Sequence, residues 1–280
     1  MRTAFCNEIF CDEAAAAGEP WPWPRQCEYL ARLGYDGIEV APFTLGSTPL
    51  STPAADRREM RRVAESAGLE IVGLHWLLAK TDGYHLTTAD AGVRARTGEY
   101  LRGLAELCAD LGGRVLVLGS PQQRSLEPGM TTETAMDNAA EVIGSAVARM
   151  EELGVVLCLE PLAPSETDFL NTCEEAARLI GRFDSPAVRL HQDVKAMLSE
   201  PTEVVDLIRR YADLTAHFHA NDGNLQGPGM GDTDFGPILE ALGETDYAGF
   251  VSVEVFDYEP GIEATAEASL ACLKGGGNVA

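Results

Sequence analysis

Basic residues are scarce in this chain. Lys and Arg number 21 against 44 Asp and Glu, and the net charge is -23. Proteins that grip a phosphate backbone cluster Lys and Arg, so a nucleic-acid binder is not expected. An anionic membrane surface is disfavoured for the same reason. Long apolar runs are lacking as well. None approaches the roughly 20 residues of a membrane span. No secretory leader is recognisable, because Arg2-Thr3-Ala4-Phe5-Cys6 already reads as a strand. Disulfide or zinc-ribbon spacing is missing: the seven cysteines are odd in number and contain no CxxC. Cys158 in an apolar run and Cys108 in a helical pattern read as small core hydrophobes of a reducing compartment. Phosphate-cradle motifs are missing too. The glycines at 227, 229 and 231 fit neither GxGxxG nor Walker spacing and are expected to make a tight loop. A cytoplasmic location is expected.

What is present is ordinary globular material, 45% hydrophobic and 23% charged. The length of 280 residues suffices for one large α/β domain. No linker, low-complexity segment or charge block divides it, so residues 1–280 are expected to form a single domain.

Short apolar runs alternate with longer helical patterns. Strands are expected at Thr3–Cys6, Gly37–Val40, Glu70–Leu74, Arg114–Leu118, Val155–Leu159, Val188–Asp193, Leu214–His219 and Gly249–Glu254. Helices are expected at Arg25–Leu33, Ala54–Ser66, Ala89–Leu111, Thr131–Leu153, Thr172–Ile180, Thr202–Tyr211, Phe235–Leu242 and Ile262–Lys274. Gly34, Gly68 and Gly112 stand where helices stop, and Thr131 or Thr132 is a plausible N-cap. Eight such alternations over this length predict a (β/α)8 TIM barrel. An open doubly wound sheet is the alternative, but it more often carries a Gly-rich turn after its first strand.

The run Val155-Val156-Leu157-Cys158-Leu159 reads as a strand buried on both faces, and it ends abruptly on Glu160 and Pro161. Three further runs end in the same way, on Asp193, His219 and Glu254. In a closed barrel these strand ends lie side by side at the carboxyl-end mouth, where such folds keep their chemistry. Two Glu, one Asp and one His form an oxygen-rich donor set. It suits Mn²⁺ first, with Mg²⁺ or Co²⁺ as alternatives, better than a structural zinc.

Five segments carry a resemblance: Leu159-Glu160-Pro161-Leu162, Gln192-Asp193-Val194-Lys195, His217-Phe218-His219, Pro228-Gly229-Met230-Gly231-Asp232 and Val253-Glu254. Together they make the chain resemble the xylose-isomerase-like barrel superfamily, in its sugar isomerase/epimerase branch that includes the ketose 3-epimerases. The resemblance covers essentially the whole chain, and Asn171-Thr172 resembles another recurrent element of it. It implies a metal held by Glu160, Asp193, His219 and Glu254, and a substrate contact at Glu166. It also implies that Glu160 and Glu254 move a proton off and onto a carbon beside a ketose carbonyl, through an enediolate. Two positions depart from the epimerase pattern. Ala196 stands where a substrate-binding histidine is expected, and Leu225 where an arginine is expected.

Lys195 and His191 are candidates to fill that gap, being on the strand face of Asp193. His75 and Glu39, at the ends of strands three and two, are further substrate-contact candidates. Gln122 and Arg124 follow strand four and could bind a carboxylate or phosphate. Trp21 and Trp23 alternate with prolines in a first loop that could cap a sugar or contact a second subunit in a homo-oligomer. The expected partner is a small sugar or polyol. A lyase or dehydratase acting on a keto-sugar, keto-inositol or keto-glycoside would use the same proton abstraction. A metal-dependent endonuclease fits poorly with five His and the acidic surface. A non-catalytic barrel fits poorly with a complete set of four ligands.

Overall fold

The computed structural model describes residues 1–275. Among these, eight parallel strands close in chain order into one barrel. They are β1 Arg2–Cys6, β2 Gly37–Val40, β3 Glu70–Leu74, β4 Val115–Leu118, β5 Val156–Leu159, β6 Val188–Asp193, β7 Thr215–Ala220 and β8 Phe250–Val253. β1 seals the ring against β8, with Arg2 opposite Phe250 and Phe5 opposite Val253. Outside it run α1 Trp23–Leu33, α2 Ala54–Ala67, α3 Ala91–Leu111, α4 Thr132–Leu153 and α5 Cys173–Ile180. They are followed by α6 Val194–Met197, α7 Val204–Arg210, α8 Phe235–Glu244 and α9 Ile262–Gly275. The expected TIM barrel is the fold, and closure excludes the open sheet. Residues 276–280, part of the expected single domain, lie outside the described residues.

Local chemistry sets the helix ends. Thr131 caps α4 by accepting from the Thr134 N–H, and Thr172 caps α5 by accepting from the Glu175 N–H. Gly154 ends α4 at φ 64°, a left-handed conformation that side chains disfavour, and returns its N–H to Met150 and Glu151.

Two expectations are corrected here. Trp23 opens α1 with Pro24 in its first turn, where proline's missing N–H costs nothing. Trp21 is buried against Phe10 and Tyr29, and the Trp23 indole donates to the Met60 carbonyl. Neither tryptophan caps the mouth. The other correction is α6, a single turn right after β6. Its four residues show no helical repeat, and the Asp193 carboxylate sets the turn by accepting from the Ala196 N–H.

The strand period of two sorts side chains by face. Phe5, Ile38, Leu157, Leu190, Phe218 and Val251 are buried in the core cluster shared with the surrounding helices. Such burial contributes roughly 1.5–3 kcal/mol per large side chain. At the amino end, Ala4, Val72 and Phe250 form a separate apolar plug. One step further along the strands the interior turns polar. Glu39, His75, His191, His217, His219 and Ser252 are all buried there. The apolar shell outside offsets the cost of holding these groups away from water.

Candidate active site

Glu160 is the first residue after β5, and its N–H donates to the Leu118 carbonyl. Its carboxylate passes directly over Gly119: a Cβ added there would lie 2.0 Å from Oε2. Only glycine leaves room for it. Asp193, the last residue of β6, has both oxygens engaged. Oδ1 accepts from the Ala196 N–H at 2.7 Å, and Oδ2 accepts from the Asn221 amide. Asn221 Oδ1 in turn accepts from the Lys195 N–H at 2.8 Å, so one amide clamps both Asp193 and α6.

His219 lies between two carboxylates. Its Nδ1 is 3.1 Å from Glu254 Oε2, and its Nε2 is 3.3 Å from Glu39 Oε1. The Trp76 indole donates to Glu254 Oε1 at 2.6 Å. Trp76 has φ 53°, in the left-handed region where a bulky residue is strained. That backbone lets the indole reach across the barrel and stack on Phe256 at 5.9 Å.

All four strand-end residues are buried together. Glu160, His191, Asp193 and His219 offer donor atoms within 4.8 Å of one another. Glu254 adjoins them through His219. Burial, then Glu254 and Asp193, push the Glu160 carboxyl well above the usual carboxylate range. Burial and Glu254 raise Asp193 as well, against the pull of Lys195. Burial opposes charge on His219, but Glu254 and Glu39 outweigh it and hold its pKa well above the ordinary value. Burial works against the Glu254 carboxylate too, and His219 outweighs it, keeping that pKa low. Three buried carboxyl groups that disfavour one another's ionisation, beside one imidazole, form a donor set whose charge a divalent cation would balance.

A cavity of about 340 Å³ opens above them. Glu160, Glu254 and Glu166 line it, with Trp76, Phe256, Lys80, Gln122 and Gln123. A larger groove of about 920 Å³ runs beside α7 and α8, and none of the four strand-end residues lines it. Its wall includes the Gly-rich loop, which Asp222 pins by accepting from the N–H groups of Gly223, Gly231 and Thr233.

The other candidate residues separate into two groups. Lys195 and Glu166 meet at the mouth, Nζ to Oε1 at 2.8 Å, and the ammonium also sits 4.1 Å from the Phe256 ring centre. Lys195 is thus not a solvated surface lysine. His75, Glu39 and His191 lie deeper and are fully buried. Glu39 Oε2 accepts from His217 Nε2 at 2.8 Å, and His75 Nε2 is 2.8 Å from Glu8 Oε2. Arg124 is neither at the surface nor open to the mouth. It is 1% exposed and donates to the main-chain carbonyls of Glu160 and Leu170. Both terminal nitrogens hold the loop that carries Glu160 and burial closes the group off from the mouth cavity, so it presents no fork there to a carboxylate or phosphate. Ala196 is buried and Leu225 is exposed, and neither supplies a substitute for the expected histidine or arginine. The reading of the sequence missed Asn221, Trp76 and Phe256. Asn221 stands two residues past His219, and the period of two would have placed it at the same mouth.

The profile of the family described as Xylose isomerase-like TIM barrel matches residues 27–275. The chain belongs to that family. Within the family its curated relatives include sugar epimerases. The D-psicose 3-epimerase of Enterocloster bolteae is 25% identical over 241 residues, 85% of this chain and 78% of the relative. The 3-dehydro-D-guloside 4-epimerase of Escherichia coli is 27% identical over 243 residues, 81% of this chain and 84% of the relative. In fold, the chain is similar to a D-psicose 3-epimerase from Clostridium cellulolyticum, with a TM-score of 0.83, 19% identity and full coverage of both chains.

Proposed function

We propose that the protein is a divalent-metal-dependent epimerase or isomerase of a ketose or keto-glycoside. The observation that carries this reading is that Glu160 and Glu254 line one cavity while sharing a buried acidic cluster with Asp193 and His219. Glu160, Asp193, His219 and Glu254 would hold the metal, Mn²⁺ first. A divalent cation supplies carbonyl polarisation, which acidifies the adjacent C–H.

The chain's own groups do the rest. One glutamate takes the proton from one face of the carbon, and the other returns a proton to the opposite face. Trp76 and Phe256 form apolar walls, and a cavity of about 340 Å³ suits a small sugar. Lys195, paired with Glu166, provides the positive charge at the mouth that Ala196 and Leu225 do not. Because Ala196 and Leu225 depart from the epimerase pattern, the competing outcome is a lyase, in which the same proton loss expels a leaving group.

The test is incubation of metal-loaded protein with ketohexoses and with 3-keto-glycosides, followed by separation of the products. Epimers support the proposal, and release of water or aglycone supports the lyase. Lys195→Met is expected to lower kcat/KM about 10- to 100-fold, mainly through KM, as loss of a charged hydrogen bond would. Metal content should be unchanged; a variant as active as wild type removes Lys195 from the substrate site. Gly119→Ala forces the Glu160 carboxylate aside. It is expected to weaken metal affinity about 10- to 100-fold, the effect of disturbing a group that orients a ligand. Unchanged affinity in a metal titration would show that Glu160 does not bind.

A further inference from the structure

Below the mouth lies a second group of side chains of metal-ligating type that the proposed reaction does not use. Cys6 on β1, Glu39 on β2 and His75 just after β3 come from three adjacent strands and are all fully buried. Their donor atoms lie within 4.8 Å of one another.

His75 gives the decisive detail. Its Nε2 faces Glu8 Oε2 at 2.8 Å, and a carboxylate there calls for the proton on Nε2. In the neutral ring, the form that binds a metal, that tautomer leaves the lone pair on Nδ1. Nδ1 is buried and has no hydrogen-bond partner among the described residues. It lies 3.8 Å from Glu39 Oε1. This distance is too long for a hydrogen bond. Two ligand atoms each about 2.1 Å from a shared ion at a tetrahedral angle stand about 3.4 Å apart, so a small shift would seat an ion between them. Cys6 Sγ completes the cluster, and 3.9 Å away His219 Nε2 closes its upper side. The carboxylate of Glu8 holds the His75 ring as an outer carboxylate holds a ligating histidine in known metal sites.

We propose that Cys6, Glu39 and His75 form an internal metal site beneath the oxygen-rich mouth, which it meets at His219. Thiolate, imidazole and one carboxylate suit a borderline ion, Zn²⁺ or Co²⁺, rather than Mg²⁺ or Mn²⁺. Binding forms the sulfur–metal bond and releases the Cys6 thiol proton to solvent. Because Glu39 also touches His217 and His219, an ion here fixes the floor on which the mouth residues stand. The inference rests on these three residues and is independent of the sugar-epimerase reading.

The test uses full-length protein produced in cobalt-supplemented minimal medium and desalted, so that the buried site fills during folding. Cobalt per chain is counted by plasma mass spectrometry, and the near-ultraviolet thiolate-to-cobalt absorption is recorded. The expected result is a thiolate band in the wild type that Cys6→Ser abolishes, with the cobalt content falling by one ion per chain. X-ray absorption of the wild type should show a Co–S shell near about 2.3 Å, a measurement that needs no variant. His75→Gln, a second route, should also lose the band. No thiolate band and no Co–S shell in the wild type, or a band that survives Cys6→Ser, would overturn the proposal.

Discussion

Glu254→Gln is expected to cut turnover by about three to four orders of magnitude at saturating metal. The fold should persist. Glutamine keeps an oxygen for the Trp76 indole, which donates to Oε1 at 2.6 Å, and it has nearly the volume of glutamate. It removes the carboxylate that faces His219 Nδ1 at 3.1 Å and that would exchange a proton with substrate. Circular dichroism and metal content measured beside kcat separate loss of chemistry from loss of structure. A variant that folds, binds metal and turns over near the wild-type rate would remove Glu254 from the mechanism.

Metal removal is expected to have a comparable effect. Dialysis against a chelator should reduce activity to below about 1%, and Mn²⁺ or Co²⁺ should restore it. Full activity in protein verified as metal-free would end the metal reading.

The stripped protein also carries a pH signature. Glu160 and His219 both have pKa values raised by the fold. Above the usual carboxylate range the folded state retains the Glu160 proton and the unfolded chain has lost it. The same is true of His219 above the ordinary histidine pKa. In both windows the native state binds more protons than the unfolded state, so apoprotein stability falls as pH rises. The lowered pKa of Glu254 acts in the opposite sense, but in the acid range, where stability is lost as pH falls through that value. A cation would displace the protons held on these ligand groups, so metal affinity should increase with pH and loading should release protons. The check is a set of melting curves with and without metal from mildly acid to mildly alkaline pH. The gap between the two should widen as pH rises; a constant gap would show that these groups do not face the metal.

The barrel was legible because its strands are short apolar runs closed off by glycine, proline or a charged residue. The four mouth residues were legible for a related reason. Each interrupts or follows such a run, as Glu160 does after Leu159. What could not be read depends on contacts between distant segments. Glu39 meets His217 across the barrel, and no local pattern signals that pair. Arg124 reads as a loop arginine, yet two main-chain carbonyls from the segment after β5 draw it into the interior. Helix α7 is shorter than expected, Val204–Arg210 rather than Thr202–Tyr211, and Glu203 rather than Thr202 stands at its start. The turn α6 exists because Asp193 caps it, so a site residue rather than helix propensity determines that piece of structure.

Proton exchange followed by NMR in D₂O tests the central claim most directly. Metal-loaded wild type is incubated with ketoses, keto-inositols and 3-keto-glycosides, with Glu254→Gln as the control. The account predicts that deuterium enters one carbon beside the carbonyl, that the variant abolishes this, and that the labelled carbon is the one inverted in product. If confirmed metal-loaded protein exchanges no proton in any of these compounds, the enediolate chemistry assigned to Glu160 and Glu254 is contradicted.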